Sequence, residues 1–163
     1  MRIQDFAKRK SAGVPITMVT CYDAWSAALI AETDIDCVLV GDSVAMVVHG
    51  HDTTIPADLE MMTTHTAAVR RGAPDAFVIG DMPFLSYRRG LAASVDAAGA
   101  LMRSGANAVK LEGAAGNLEL IRHLVESGVP VMGHLGLTPQ SVHQLGGFRV
   151  QAKNGRAAER LIE

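Results

Sequence analysis

The chain has 163 residues, 48% of them hydrophobic and 20% charged, with 16 glycines, 6 prolines and a formal net charge of -2. That length suits one domain, and the balance of apolar and charged residues excludes a disordered chain. No basic surplus offers a footprint for nucleic acid, and no apolar run approaches the roughly 18 residues of a membrane span. The segment Met1–Lys8 lacks the apolar core of a signal peptide, so a soluble cytoplasmic protein is expected. Cys21 and Cys37 both adjoin or lie in apolar runs and are expected to be reduced, buried thiols.

Ile3 to Lys10 sets Ile3, Phe6 and Ala7 at helical spacing, with cationic residues at its end and Gly13 beyond, which predicts a short amphipathic helix. Pro15 to Thr20 predicts the first strand. It leads into Cys21-Tyr22-Asp23, where Asp23 caps a helix from Ala24 to about Thr33. A second strand, Val38 to Val40, ends in Gly41-Asp42-Ser43 and enters a long loop through Asp52. Thr54 and Pro56 then mark the start of a helix that runs to Arg71 and stops at Gly72. The third strand covers Ala76 to Gly80, and a helix follows from about Gly90 to Arg103. The fourth strand is Ala108 to Leu111, its helix Asn117 to Ser127, and the fifth strand Val129 to Met132. Thr138 and Pro139 open a short helix, and Arg156 begins another.

Strand and helix alternate, and the strands are continuously apolar, which predicts a parallel sheet covered by helices. Two architectures satisfy the pattern: a doubly wound five-stranded sheet, or the first part of an eight-stranded barrel, which normally takes about 250 residues. Length by itself favours the doubly wound sheet.

In either architecture the residues just past the carboxyl ends of parallel strands share one crevice, which gathers Asp42, Ser43, Asp81, Glu112 and His134. Three converging carboxylates repel one another unless a cation lies among them, and an all-oxygen set suits magnesium better than zinc; the competing reading is that each acid caps the turn after it. Lys110 precedes Glu112 by two residues and so shares its face. It serves either as a clamp for a substrate carboxylate or as a salt-bridge partner for one of the acids. Ser43 and His134 can each bind a ligand or hold the local backbone. Tyr22 can line the same crevice. His49 and His51 are read as loop residues, since two histidines without a third ligand make a poor metal site. His65 is expected on a helix face. No GxGxxG follows the first strand, and no phosphate-cradling lysine motif is present.

Several longer stretches combine into one pattern: Val40-Gly41-Asp42-Ser43, Gly50-His51-Asp52-Thr53-Thr54, the run His65 to Pro74, Asp81-Met82-Pro83-Phe84, Gly133 to Val142 and Leu145-Gly146-Gly147-Phe148. Together they closely resemble the ketopantoate hydroxymethyltransferase family of pantothenate and coenzyme A biosynthesis, over essentially the whole chain. The resemblance implies a (β/α)8 TIM barrel preceded by an N-terminal helix, which reverses the argument from length. On that basis residues 1–163 form a single α/β barrel domain truncated at its carboxyl end, holding about five of the eight βα units.

The implied reaction transfers a hydroxymethyl group from 5,10-methylenetetrahydrofolate to 3-methyl-2-oxobutanoate, giving 2-dehydropantoate through a magnesium-stabilised enolate. By resemblance Asp42 and Asp81 ligate Mg2+, with Glu112 close to the ion. Ser43, Asp81, Lys110 and His134 match positions that meet the oxo acid. The catalytic base of the family is a glutamate at a later strand end, expected beyond Glu163, so the chain alone is expected to bind metal and oxo acid but to turn over poorly. The resemblance further implies a homo-oligomer, a decamer, with no nucleic-acid or membrane partner. Ala45, Thr33-Asp34, Ala114 and Ala152 depart from the family's usual glycines or helix stop, and Asp34 is expected to tolerate a left-handed backbone. Two other readings stand beside this one: a magnesium-dependent lyase or aldolase of 2-oxo acids, and a non-catalytic α/β binding module.

Overall fold

The computed structural model describes residues 1–162. Five strands form one sheet in the spatial order β1-β2-β3-β4-β5: Met18–Thr20, Cys37–Val40, Phe77–Asp81, Ala108–Glu112 and Val131–His134. Every neighbouring pair is parallel. Helices α1 (Ile3–Ala12), α2 (Ala24–Ala31), α3 (Val44–Val47), α4 (Leu59–Gly72), α5 (Leu91–Arg103), α6 (Leu118–Glu126), α7 (Val142–Leu145) and α8 (Gly155–Ile162) complete the fold.

The strand order separates the two architectures. A doubly wound sheet reverses direction at a switch point and places helices on both faces. Here spatial order follows chain order, and residues from α2, α4, α5 and α6 all join one apolar cluster with Val38, Val40, Val78, Val109 and Leu111. The helices therefore cover a single face of the sheet, as they do along the arc of a (β/α)8 barrel. The doubly wound expectation from length is set aside.

The opposite face is the inside of the arc. Its amino-terminal half is apolar: Cys37, Phe77, Ile79 and Ala108 cluster there, with Leu39 and Met132 packed against them. Helix α1 closes that end. Phe6 meets Phe77 with ring centroids 4.9 Å apart, and Arg9 pairs with Asp36 at 2.7 Å, just ahead of β2. With the floor of the arc plugged, the polar residues of the same face are left at the carboxyl ends of the strands.

Several boundaries differ from expectation for local reasons. The helix expected from Thr54 and Pro56 begins at Leu59, because Asp58, not Thr54, caps it by accepting a hydrogen bond from Met61 N at 2.8 Å. Strand β5 starts at Val131, not Val129; Pro130 has no N–H to give the ladder, although its carbonyl accepts from Val109 N. The loop expected after Ser43 contains the short helix α3. Asp34 does not adopt the left-handed backbone; among the described residues Leu85 (φ 59) and Ala152 (φ 56) are the non-glycine residues that do.

Gly72 marks the closest approach of two helices. A Cβ there would lie 2.1 Å from the carbonyl oxygen of Ala24, at the start of α2, so only glycine allows α4 to pass.

Candidate active site

The strand ladder itself builds the site. Parallel register sets Asp81 beside Lys110 and Glu112 beside His134. Lys110 and Glu112, two residues apart on β4, both face the inside of the arc, as their spacing predicts. Asp42 and Ser43 follow β2 directly. At Gly41 a Cβ would stand 2.8 Å from Ser43 Oγ, so the missing side chain leaves room for the Ser43 hydroxyl at the β2 tip.

These residues line a cavity of about 300 Å³ that includes Asp42, Ser43, Thr54, Asp81, Lys110, Glu112 and His134, above a floor of Met18, Leu39 and Met132. A larger cavity of about 570 Å³ lies elsewhere, between the loops after β2 and β3 and helix α5, lined by residues such as Pro56, Phe84, Arg89 and Asp96. Size does not mark the site here; the convergence of strand-end charges does.

Lys110 Nζ lies 2.7 Å from Asp81 Oδ1, and the Asp42 backbone N–H donates to Asp81 Oδ2 at 3.1 Å. Even so, burial outweighs the ammonium and pushes the Asp81 carboxyl up to about 7, with the neighbouring Asp42 charge adding to the rise. Burial also raises Asp42, against the opposing effects of a Gln140 hydrogen bond and Lys110. Glu112 is raised by burial too, partly offset by the Gln140 backbone N–H and by Lys110. One lysine thus faces three acids that the site holds in a reluctant, proton-seeking state.

Glu112 has both oxygens engaged: Oε1 lies 3.0 Å from His134 Nδ1, and Oε2 accepts from Gln140 N at 3.0 Å. Ser43 Oγ shares a 2.8 Å hydrogen bond with Tyr22 OH. The structure therefore brings together all six residues expected from the sequence, with Tyr22 beside them. Two that local pattern did not suggest also belong. Thr54, read from sequence as a helix start, lines the cavity, and Gln140 reaches toward Asp42 from the loop after β5. His49 and His51 do not enter the site; His49 instead meets His65 of α4, Nε2 to Nε2, at 3.1 Å.

A hard cation suits what is present. Asp81 Oδ1 is buried with the Lys110 ammonium against it but no well-formed hydrogen bond, which leaves an anionic oxygen for an ion to meet. Among the described residues no three His, Cys, Asp or Glu side chains group closely enough to hold an ion by themselves. Magnesium makes no such demand: one or two carboxylates commonly hold it, with water and substrate oxygens completing the shell.

The whole chain, residues 1–163, matches the family described as ketopantoate hydroxymethyltransferase. The chain belongs to that family. Three curated relatives named 3-methyl-2-oxobutanoate hydroxymethyltransferase illustrate the match. That of Bdellovibrio bacteriovorus is 60% identical over 161 residues, covering 99% of this chain and 61% of the relative. That of Coxiella burnetii is 56% identical, with the same two coverages. The Legionella pneumophila protein is 54% identical over 164 residues, covering 100% of this chain and 63% of its own length. The chain thus spans about three fifths of these ketopantoate hydroxymethyltransferase relatives. Among solved structures, 2,3-dimethylmalate lyase, of the PEP mutase/isocitrate lyase superfamily, aligns with a TM-score of 0.59 at 16% identity, over 80% of this chain and 51% of that one. A phosphonopyruvate hydrolase in complex with oxalate and Mg++ aligns at 0.55 and 10% identity, over 69% and 39%. At such identities these two speak for the shared α/β barrel fold. Among the described residues no helix is long and apolar enough to cross a membrane.

Proposed function

We propose that this chain carries the cation- and oxo-acid-binding part of a 3-methyl-2-oxobutanoate hydroxymethyltransferase that takes its one-carbon unit from 5,10-methylenetetrahydrofolate. Family membership supports the reaction class. The observation that carries the site assignment is the surplus of buried carboxylate over ammonium at the β2, β3 and β4 tips, in a cavity of about 300 Å³.

Asp42 and Asp81 are assigned as the direct Mg2+ ligands, with Glu112 the third acid of the set, acting on the ion through water. A divalent cation held there would draw electron density from the carbonyl of a 2-oxo acid and acidify the hydrogen on its C3. Lys110 is the positive group available to the oxo acid's own carboxylate, and Asp81 fixes its position through their 2.7 Å contact. Ser43 offers a hydroxyl already oriented by Tyr22. His134, held through Nδ1 by Glu112, leaves Nε2 for the substrate. The apolar floor of Met18, Leu39 and Met132 suits the branched alkyl end of 3-methyl-2-oxobutanoate. Removal of the C3 proton needs a positioned base. Glu112 does not suit that task with both oxygens engaged, and no other residue of 1–162 is assigned it.

The test is formation of 2-dehydropantoate by the full-length protein from 3-methyl-2-oxobutanoate, with and without methylenetetrahydrofolate, and with and without a chelator. Product is expected only when both the folate and a divalent cation are present, and Asp42→Asn or Asp81→Asn should abolish it. Folate-independent turnover of the oxo acid would point to a lyase or aldolase instead. Full activity in the presence of chelator would remove the metal assignment.

A further inference from the structure

Gln140 lies in the 3₁₀ turn after β5, is 5% exposed, and sits far in sequence from every residue it holds. Its Nε2 donates to Asp42 Oδ2 at 2.7 Å and to the Met82 carbonyl at 3.0 Å. Its Oε1 accepts from Tyr87 OH at 2.6 Å, and its backbone N–H donates to Glu112 Oε2 at 3.0 Å. Both amide hydrogens and the amide oxygen are therefore engaged. Turning the amide over would set its oxygen against a carboxylate and a carbonyl, so the network admits one orientation. A glutamate could not replace it without facing Asp42 charge to charge.

We propose that Gln140 is a positioning residue for the divalent cation. By holding Oδ2 it leaves Asp42 Oδ1 as the oxygen available to an ion. Through its backbone it also ties the β2 tip to Glu112 at the β4 tip, so two of the acids keep their places relative to each other. Tyr87, buried at the far side, holds the amide in turn. The inference rests on Asp42 being a cation ligand, as assigned above.

The experiment uses the full-length protein and Mn2+ as probe, with binding measured by electron paramagnetic resonance or calorimetry in the absence of substrate. Gln140→Met keeps the volume and removes the amide. Loss of a side chain that orients a metal ligand typically lowers affinity about 10–100-fold, and that loss is expected here in the folded protein, with circular dichroism confirming the fold at the assay temperature. Tyr87→Phe removes one hydrogen bond further out and should produce a smaller loss in the same direction. In activity assays the Mg2+ requirement of Gln140→Met should rise by the same factor as its Mn2+ dissociation constant, while KM for the oxo acid at saturating Mg2+ stays put. Wild-type protein that binds no Mn2+ would overturn the cation assignment itself. Wild-type binding with unchanged affinity in Gln140→Met would overturn the role of Gln140 alone. Should Gln140→Met fail to fold, Tyr87→Phe decides: unchanged Mn2+ affinity overturns the proposal, and a reduced one supports it.

Discussion

Replacing Lys110 by methionine removes the ammonium and keeps most of the side chain's bulk. The lysine and Asp81 side chains are 11% and 4% exposed and meet at 2.7 Å, so the change leaves a buried carboxylate without its partner. Breaking such a pair from one side costs about 3–5 kcal/mol. The penalty should depend on pH in a definite sense. Asp81 has a folded value of about 7 against a usual 3.8, so the native state holds this proton more tightly than the unfolded state does. Stability from this group is fully present below about 3.8 and is lost as pH rises through about 7, a swing of about 4 kcal/mol at 1.36 kcal/mol per unit. Without the ammonium the folded value moves higher still, and the loss at alkaline pH deepens. Because Asp81 takes up a proton once its partner is gone, the extra loss is capped by the roughly 1.5 pH units between about 7 and 8.5. Urea unfolding in metal-free buffer should therefore show Lys110→Met destabilised by about 2 kcal/mol more near pH 8.5 than near pH 5, where Asp81 is neutral in both proteins. Adding Asp81→Asn should restore much of the loss at pH 8.5. A penalty equal at the two pH values, or larger in acid, would refute the account.

Two other perturbations separate packing from chemistry. Gly72→Ala should destabilise by about 1–3 kcal/mol, because its Cβ meets the backbone of α2 and the helices must part by roughly 1 Å, which outweighs a helix-propensity gain of about 0.8 kcal/mol. Gly99→Ala, also on a helix but facing only the movable Arg103 guanidinium at 3.0 Å, should instead stabilise by about 0.5–1 kcal/mol. Chemical denaturation of both checks the pair, and a stabilised Gly72→Ala would show that the approach is not tight. Phe6→Ala strips the partly buried plug from the amino-terminal end of the arc and should cost about 2 kcal/mol by thermal unfolding. Mn2+ affinity of the folded fraction should be unchanged, since the strand tips lie at the other end; a weakened ion would argue that α1 shapes the site.

The sequence reveals the parts of this fold that are local. Apolar runs locate the strands, and the acids that close them locate the cavity, because a parallel sheet delivers every strand tip to one side. The period of two along β4 correctly turns Lys110 and Glu112 inward together. Strand order is not local, and the βα alternation alone left two architectures open until the order of the five strands separated them. The place of Gln140 is non-local in the same way. Nothing in Thr138-Pro139-Gln140 signals a contact with Asp42, which lies 98 residues earlier. A threonine near a proline, as at Thr54, resembles a helix start, whereas Asp58 supplies the cap. The left-handed backbone falls at Ala152 rather than Asp34, so of the positions where the family often has glycine, Ala152 is the one that carries strain.

The register of the ladder has an effect on assembly as well as on chemistry. Asp81 stands opposite Lys110, and Glu112 opposite His134, only when β3, β4 and β5 align as they do. A slip of β4 by one residue would turn Lys110 and Glu112 toward Leu101 and the other apolar side chains of the helical layer, and would bring Val109 and Leu111 to the cavity. Runs as uniformly apolar as these discriminate poorly between one alignment and the next. The charged residues at the strand tips therefore also proofread the sheet, rejecting misaligned strands before the cavity is complete.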